Sequence, residues 1–269
     1  MTPLPLVAVA GNPNAGKSAL FNALTGARQK VGNYPGVTVE RHSGRLTLAD
    51  GRPVEMVDLP GSYSLDPASP DEAVTRDVLL GKQQGERQPD ALIVVLDASN
   101  LDNHLRFCLQ LIELGLPTIV ALNMIDLAKR DGLKLDASVL ERELGVPVIE
   151  TVAVRKRGIA ELQQALDDML SAPFCGVHEH VKSDIVNLQR RAREIATNAV
   201  VSETPVRRWT HRLDTVLLHP ILGPLILAAI MFIMFQAVFA WSEVPKAWIQ
   251  SGVDWLAVQG SAALPAGLL

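Results

Sequence analysis

The sequence predicts an α/β domain with a mostly parallel sheet, then a small helical segment, then one apolar segment long enough to cross a membrane. Two observations support the sheet: short continuous apolar runs recur along residues 1–170, and segments with helical periodicity separate them. Continuous apolar runs are typical of strands that helices cover on both faces, and their alternation with helices indicates parallel pairing. Ligands of such sheets bind beyond the carboxyl ends of the strands.

The composition excludes several classes of protein. The chain has 269 residues, of which 48% are hydrophobic, and its formal net charge is -4. This apolar content excludes a mainly disordered chain, and the lack of a basic excess argues against a nucleic-acid partner. The two cysteines, Cys108 and Cys175, suit a reducing compartment better than a disulfide framework.

The strongest motif begins where the first predicted strand, Val7–Ala10, ends. It matches the pattern G-x-x-x-x-G-K-[ST] in full and precedes a predicted helix over Ser18–Thr25. In such a loop the backbone N–H groups surround phosphate oxygens, and the start of the helix adds partial positive charge. We expect Lys17 to bridge the β- and γ-phosphates of a nucleotide and Ser18 to ligate Mg²⁺. This phosphate loop consists of Gly11, Asn12, Pro13, Asn14, Ala15, Gly16, Lys17 and Ser18.

A hairpin and a second phosphate motif follow. The runs Arg45–Ala49 and Val54–Val57 are predicted strands, and the Asp50-Gly51 pair between them is typical of a tight turn. The sequence then reads Asp-Leu-Pro-Gly from Asp58 to Gly61. An acidic residue at the end of a neighbouring strand can hold Mg²⁺ through water, and the Gly61 N–H would contact the γ-phosphate.

The second half of the domain contributes three more strands, which makes six in all. A capping box over Ser69–Glu72, with proline at the first helical position, starts a helix before them. The predicted strands are Ala91–Leu96, Thr118–Leu122 and Val146–Val152, and the predicted helices are Leu101–Leu114 and Ile159–Leu170.

Asn123, Met124 and Asp126 follow the strand Thr118–Leu122 in the pattern N-x-x-D. The Asp126 carboxylate can accept hydrogen bonds from N1–H and the exocyclic amine of guanine, whereas adenine has neither donor there. Asn123 would hold the base-binding loop against the phosphate loop. The last predicted strand ends at Val152, and the N–H of Ala153, just past it, would reach the guanine O6.

The pattern of residues 171–212 predicts a small helical spacer domain. The segment His178–Val201 is polar and helical, and its apolar positions recur about once per turn. These positions are Ile185, Leu188, Ala192, Ile195 and Ala199. A passive linker and a regulatory unit are both compatible with this pattern.

The segment 213–242 predicts a transmembrane helix. No Asp, Glu, Lys or Arg occurs from Thr215 to Ser242, and its apolar core, Ile221–Trp241, would span roughly 31 Å as a helix. That length matches the roughly 30 Å hydrocarbon core of a bilayer, although a buried helix of a soluble protein is the alternative. Arginines precede the segment, so the positive-inside rule places the N-terminal residues in the cytoplasm. Residues 243–269 would begin the far side of a longer, truncated membrane protein.

Three motifs in this order, GNPNAGKS, DLPG and NMID, resemble the small GTPases related to translation factors. The run Gly32–Glu40, GNYPGVTVE, narrows this resemblance to the N-terminal region of FeoB, the bacterial ferrous iron transporter family. The resemblance covers essentially the whole chain. It implies a Ras-like fold of about six strands over residues 1–170 and a GDI-like spacer that favours GDP binding. It also implies an iron permease, most of which this chain lacks.

The resemblance assigns Gly36, Val37 and Thr38 to the first switch. The Thr38 hydroxyl would complete the Mg²⁺ shell beside Ser18 and Asp58, and its N–H would contact the γ-phosphate only in the GTP state. In this family an asparagine at the position of Asn14 helps to bind K⁺, which acts in place of an arginine finger. Two alternatives stay open: Asn14 only suits the backbone of its loop, and Thr38 is an ordinary surface residue.

Two departures from the commonest GTPase pattern affect the expected kinetics. Ser62 stands where many GTPases have a glutamine that orients the attacking water, so hydrolysis should be slow without K⁺. Met124 stands where lysine is common, which predicts looser nucleotide binding and fast GDP release.

We therefore expect a GTP-hydrolysing switch domain, with GTP, GDP, Mg²⁺ and K⁺ as ligands, attached to a ferrous iron transporter. It would face the cytoplasm from the bacterial inner membrane. The remainder of the permease, small accessory Feo proteins and further copies of the chain are the expected partners. The alternative is a soluble GTPase of ribosome or RNA maturation with a buried C-terminal helix.

Overall fold

The computed structural model describes residues 4–26, 29–48, 50–171, 184–203, 213, 216–241 and 243–263. The chain divides into two compact units, Met1–Val206 and Arg207–Leu269. The predicted boundary at residue 170 therefore lies inside the first unit. Much of the predicted spacer, including Cys175, His178 and Arg207, lies outside the described residues.

A seven-stranded sheet forms the centre of the first unit, in the order β2-β3-β4-β1-β5-β6-β8. Strands β2, β3 and β4 pair antiparallel, and the other neighbours pair parallel. The strands are β1 (Leu6–Gly11), β2 (Gln29–Asn33), β3 (Glu40–Thr47), β4 (Pro53–Asp58), β5 (Ala91–Asp97), β6 (Thr118–Asn123) and β8 (Val148–Glu150). The mostly parallel α/β fold is thus confirmed.

The predicted number of six strands is wrong by one. Strand β2 has the sequence QKVGN and is exposed along most of its length, so it lacks the apolar pattern by which a buried strand is found. Strand β3 begins at Glu40, before the predicted Arg45, because its polar first half pairs with β2 at the edge of the sheet.

Among the described residues up to Ser171, six α-helices lie between or after the strands of the sheet. Ser69 caps the second of them by accepting a hydrogen bond from the Glu72 N–H at 3.3 Å, with Pro70 in the first turn as the capping box predicts. The helices are α1 (Lys17–Thr25), α2 (Pro70–Leu79), α3 (Leu101–Ile112), α4 (Ile125–Arg130), α5 (Ala137–Leu144) and α6 (Ile159–Ser171). Four of them, α1, α2, α3 and α6, are close to predicted positions, whereas α4 and α5 were not predicted.

Strand β1 shows how the core is divided between the two faces of the sheet. Val7 and Val9 belong to the apolar cluster under α1 and α6, whereas Ala8 and Ala10 belong to the cluster under α2, α3 and α5. Successive side chains of a strand point to opposite faces, so a strand covered on both sides must be apolar throughout. All six residues of β1 are buried.

The described part of the predicted spacer packs on this domain. Helix α7 (Ile185–Ala199) buries Leu188, Ala192 and Ile195 in the cluster that contains α3, whereas Ile185 is 45% exposed. The helix ends at Ala199 rather than at the predicted Val201. The next residues form β9 (Val200–Glu203), which pairs antiparallel with the short strand β7 (Leu133–Leu135). Val200 and Val201 are β-branched, which favours a strand.

The second unit contains the apolar segment. Helix α8 (Leu222–Gln236) continues into a π-helical turn over Ala237–Trp241, and α9 (Glu243–Ala263) follows. Within the described residues one helix is long and apolar enough to cross a membrane, over Leu222–Phe239, with mean hydropathy 2.3 and no buried residue. Pro224 lies in the first turn, where its missing N–H has no helical partner to lose.

Candidate nucleotide-binding site

The predicted motifs meet at one edge of the sheet. Strand β1 ends at Gly11, β4 at Asp58 and β6 at Asn123, and all three strands run in the same direction. The carboxyl ends of parallel strands form the ligand-binding edge of an α/β sheet. The topology therefore brings together the phosphate loop, the Asp58 loop and the Asn123 loop.

The phosphate loop has backbone requirements that explain its glycines. Gly16 has a φ of +86°, and a Cβ at this position would lie 2.3 Å from Nδ2 of Asn123. That amide donates a hydrogen bond to the Ala15 carbonyl at 3.0 Å, so the base loop is attached directly to the phosphate loop. Asn14 is exposed and has a φ of +66°, a conformation that asparagine tolerates better than most residues.

Lys17 is buried at the start of α1. Its Nζ donates a hydrogen bond to the Asn12 carbonyl at 3.0 Å. Burial lowers the pKa of Lys17, and the nearby Asp58 carboxylate partly opposes this shift. A Cβ at Gly61 would lie 2.9 Å from the same Nζ and 3.0 Å from Cα of Pro13. Glycine at position 61 therefore lets the Asp58 loop approach the ammonium group closely.

Ser18 and Asp58 form the oxygen-rich part of the site. The Ser18 Oγ donates a hydrogen bond to Oδ2 of Asp58 at 2.8 Å, whereas the buried Oδ1 of Asp58 has no hydrogen-bond partner in the part of the chain that the structure describes. Burial raises the pKa of Asp58, opposed by the Ser18 hydrogen bond and by Lys17 and His42. A hydroxyl and a carboxylate with a spare oxygen fit Mg²⁺, which prefers oxygen ligands.

We expect Asp58→Asn to stabilise the protein while it removes the Mg²⁺ dependence of nucleotide binding. Because the folded-state pKa of Asp58 is raised, its ionised form costs free energy of folding at neutral pH, and this cost disappears as pH falls through that pKa. Asparagine can still accept the Ser18 hydrogen bond without the buried charge. Thermal unfolding at pH 7 should show a gain of roughly 2–4 °C, equivalent to about 1 kcal/mol.

The pH dependence supplies the control for this prediction. The difference in melting temperature between wild type and Asp58→Asn should shrink at acidic pH, where the wild-type carboxyl becomes protonated. If Asp58→Asn were less stable than wild type at pH 7, the buried Asp58 carboxylate would not be destabilising the fold.

The first switch is an exposed segment in the described structure. Gly36, Val37 and Thr38 are exposed, and among the described residues no hydrogen-bond partner is found for the Thr38 hydroxyl. Tyr34, by contrast, is buried in the core, and its N–H donates to the Val39 carbonyl at 2.9 Å. Among the described residues Thr38 makes no hydrogen bond to Ser18 or Asp58. Its predicted contact with Mg²⁺ in the GTP state stays a prediction.

Helix α2 stabilises the loop that follows Asp58 through hydrogen bonds to Glu72. Glu72 accepts hydrogen bonds from the Tyr63 N–H at 3.2 Å and the Ala68 N–H at 2.7 Å. Ser62 is completely buried, and its hydroxyl donates to the Ser64 carbonyl at 2.7 Å. Ser62 therefore supports its own loop and does not present a group to orient water.

Asn123 is the centre of the predicted base site. Its Oδ1 accepts a hydrogen bond from the Ala153 N–H at 3.1 Å, and Thr151 Oγ1 lies 3.4 Å away. Met124 has a φ of +61°, and its terminal methyl carbon would lie 3.2 Å from a Cβ at Gly16. The methionine thus packs on the phosphate loop. The Ala153 N–H already has a partner, so its predicted bond to guanine would require an exchange.

The structure also places a residue in the base site that the sequence did not indicate. Nη1 of Arg155 lies 3.7 Å from Oδ2 of Asp126. Arg155 belongs to the run Arg155–Arg157, which in sequence is indistinguishable from an ordinary solvated surface. Only the loop geometry after β8 directs this one cation towards Asp126.

The chain matches the sequence model of ferrous iron transport protein B over residues 6–166. It is 41% identical over 215 residues to the Fe(2+) transporter FeoB of Salmonella typhimurium, which covers 76% of this chain and 26% of the relative. It is 47% identical over 165 residues to FeoB of Escherichia coli K12, which covers 60% of this chain and 21% of the relative. The chain therefore spans about a quarter of the length of these relatives.

Solved structures show the same fold. The cytosolic domain of T. maritima FeoB in a GDP form is 29% identical, with a TM-score of 0.62, and the match covers 75% of this chain and 100% of that one. The cytosolic domain of L. pneumophila FeoB is 44% identical, with a TM-score of 0.57, over 61% of this chain and 68% of that one. A GDP-bound variant of the S. thermophilus FeoB G-domain is 43% identical, with a TM-score of 0.54, and the match covers 62% of this chain and 60% of that one.

These matches agree with the arrangement of the phosphate loop, the Asp58 loop and the Asn123 loop at one edge of a G-domain sheet. Since the family's sequence model covers more than half of the residues, the chain belongs to the ferrous iron transport protein B (FeoB) family.

Proposed function

We propose that the chain is the GTP-binding and GTP-hydrolysing switch domain, with the first membrane span, of a bacterial Fe²⁺ transporter. One observation carries the nucleotide assignment: Asn123 is hydrogen-bonded to both the phosphate loop and the loop after β8. Lys17 belongs to that phosphate loop, and Asp126 follows Asn123 by three residues. Family membership favours this function over a GTPase of ribosome maturation. Phosphate release from GTP, but not from ATP, tests the proposal, and equal turnover of the two nucleotides would refute it.

Each residue of the site has a defined task in this proposal. Lys17 binds the β- and γ-phosphates, and Gly61 donates its N–H to the γ-phosphate. Ser18, Asp58 and Thr38 would hold Mg²⁺, which offsets phosphate charge. Asp126 selects guanine. Release of the γ-phosphate then frees the Thr38 and Gly61 loops, and this order–disorder change is the switch.

Asn14 would supply an amide oxygen to K⁺, a cation that offsets the charge developing between the β- and γ-phosphates. Its exposed side chain at the phosphate loop is suited to this role, but its positive φ also supports the alternative of a purely conformational role. Two substitutions separate these roles. Asn14→Gly keeps the backbone freedom without the amide, whereas Asn14→Ala removes both.

We expect K⁺ to raise kcat over Na⁺ by on the order of 10- to 100-fold in the wild type, and Asn14→Gly and Asn14→Ala both to abolish the difference. Steady-state phosphate release in the two salts measures it. K⁺ stimulation that survives in Asn14→Gly would show that residue 14 acts only through its backbone.

The segment 213–242 is proposed to anchor the G domain at the cytoplasmic face of the inner membrane. We expect the chain expressed in bacteria to stay in the membrane pellet after carbonate extraction. The double variant Leu227→Asp, Met231→Asp should be extracted, since each charge at the helix centre opposes insertion by about 2.5–3.5 kcal/mol. Wild-type protein in the carbonate supernatant would exclude a span.

The remaining parts of the proposal concern the whole transporter. Fe²⁺ is its substrate, and the rest of the permease, accessory Feo proteins and other copies of the chain are its partners. The spacer around α7 would favour GDP binding and transmit the switch to the membrane. Met124 predicts GDP release within seconds to minutes without an exchange factor. Its packing on Gly16 supports the phosphate loop, although it lacks the cationic end of a lysine.

A further inference from the structure

The carboxylate that the proposed function assigns to guanine has a cationic neighbour within the protein. Asp126 Oδ2 and Arg155 Nη1 are 3.7 Å apart, and the two side chains are 28% and 74% exposed, respectively. Asp126 lies in the first turn of α4, and Arg155 lies in the loop between β8 and α6. The contact therefore joins the start of α4 to a separate loop beside the predicted base site.

The backbone around Arg155 is closed on itself. Val152 and Arg157 exchange hydrogen bonds in both directions, at 3.0 Å and 3.3 Å. Between them the chain makes a 3-10 turn over Ala153–Arg155. Gly158 has a φ of +76°, and a Cβ there would lie 2.0 Å from the Glu150 carbonyl oxygen, so the loop can close in this way only with glycine. The backbone of Arg155 is thus held in one position.

This closed loop is also attached to the base site. The Ala153 N–H donates to Oδ1 of Asn123 at 3.1 Å, and Asn123 lies three residues before Asp126. The position of Arg155 relative to Asp126 is therefore set by a buried hydrogen bond and a backbone bridge. Only the long arginine side chain must move to make or break the ion pair.

Guanine and a guanidinium group require the same acceptor. Guanine presents two N–H donors on one edge and uses both oxygens of the carboxylate, whereas arginine presents N–H donors in a planar fork that suits the same group. We propose that Arg155 competes with the guanine base for Asp126, and that this competition weakens nucleotide binding and speeds nucleotide release. This inference rests on the proposed function and deepens it.

The expected size of the effect follows from the exposure of the pair. Exposed ion pairs contribute little and are screened by salt, so removal of Arg155 should tighten GDP binding by about two- to fivefold at low ionic strength. The loss of competition should appear mainly as a slower rate of release, because related binding sites differ mostly in their dissociation rates. The gain should shrink in 0.5 M salt, where the Debye length is only a few ångströms.

The test compares Arg155→Gln with Lys156→Gln in the full chain. Lys156 is the neighbouring cation in the same loop, and within the described residues it has no ion pair with Asp126. Stopped-flow release of a fluorescent GDP analogue should be two- to fivefold slower in Arg155→Gln than in both wild type and Lys156→Gln. Unchanged release would overturn the proposal, and faster release would show that Arg155 holds the base instead.

Repeating the Arg155→Gln substitution in the Asp126→Asn variant distinguishes an effect of the ion pair from a general effect of the loop on nucleotide release. Asp126→Asn lacks the competing carboxylate and is expected to bind xanthosine nucleotides. Adding Arg155→Gln to it should leave the release rate of the xanthosine diphosphate analogue unchanged, and a change equal to that in wild type would refute direct competition. If wild-type protein binds no guanine nucleotide, the proposed function itself fails, which is a different outcome.

Discussion

Lys17→Ala is expected to reduce kcat/KM for GTP hydrolysis by a factor on the order of 10³, the largest effect of any single substitution proposed for this chain. The buried ammonium group is the cation of the phosphate loop, and charged donors directed at phosphoryl oxygens act strongly where water is excluded. Phosphate release measures the rate, and calorimetry should show weakened binding of GTP.

Stability should change little in this variant, and this distinguishes a chemical effect from unfolding. Because burial lowers the pKa of Lys17, the fold carries a desolvated cation whose removal is not costly. Lys30→Ala, at an exposed lysine of β2, is the matched control and should hydrolyse GTP at the wild-type rate. Full activity of Lys17→Ala would eliminate the phosphate loop as the site of hydrolysis.

Asp126→Asn is expected to lower GTP affinity by roughly 30- to 1000-fold and to create affinity for xanthosine triphosphate. The carboxylate is the only acidic group proposed to contact the base, and two charge-assisted hydrogen bonds are worth about 2–4 kcal/mol when the alternative leaves donors unpaired. Competition calorimetry with GTP, ATP and XTP measures both changes.

The exposed Asp131 at the end of α4 provides the control. Asp131→Asn removes the same charge from the same helix, where its partner is Arg130, and should leave nucleotide selectivity unaltered. The ion pair of Asp126 with Arg155 is exposed, so its loss should change the free energy of unfolding by less than about 1 kcal/mol. If Asp126→Asn retains its preference for GTP, another group selects the base.

The two nucleotide motifs at the ends of β1 and β4 illustrate why much of this site is predictable. Lys17, Ser18 and Asp58 follow directly from strand ends, and parallel pairing of β1 with β4 is sufficient to bring them together. The Ser18–Asp58 hydrogen bond at 2.8 Å is a consequence of that topology. Local patterns and one topological rule thus determine this half of the site.

The burial of Tyr34 and the edge strand β2 are not predictable from the local sequence. Tyr34 lies in a segment rich in glycine and polar residues, yet it is buried in the apolar cluster that also contains Leu59 and Val74. Strand β2 has hardly any apolar pattern because pairing with β3, rather than burial, holds it. Local sequence contains no signal for either feature, since both depend on partners elsewhere in the chain.

By itself, the sequence determined the α/β fold and the apolar helix over Leu222–Phe239, and it predicts the phosphate loop and the guanine motif, because each depends on residue types at fixed short spacings. The tertiary structure decided that the sheet has seven strands, that α7 packs on the G domain, and that Asn123 ties two loops to the phosphate loop. It also decided which cation of Arg155–Arg157 reaches Asp126. These features join residues that are distant in the chain, and only the folded backbone sets such distances.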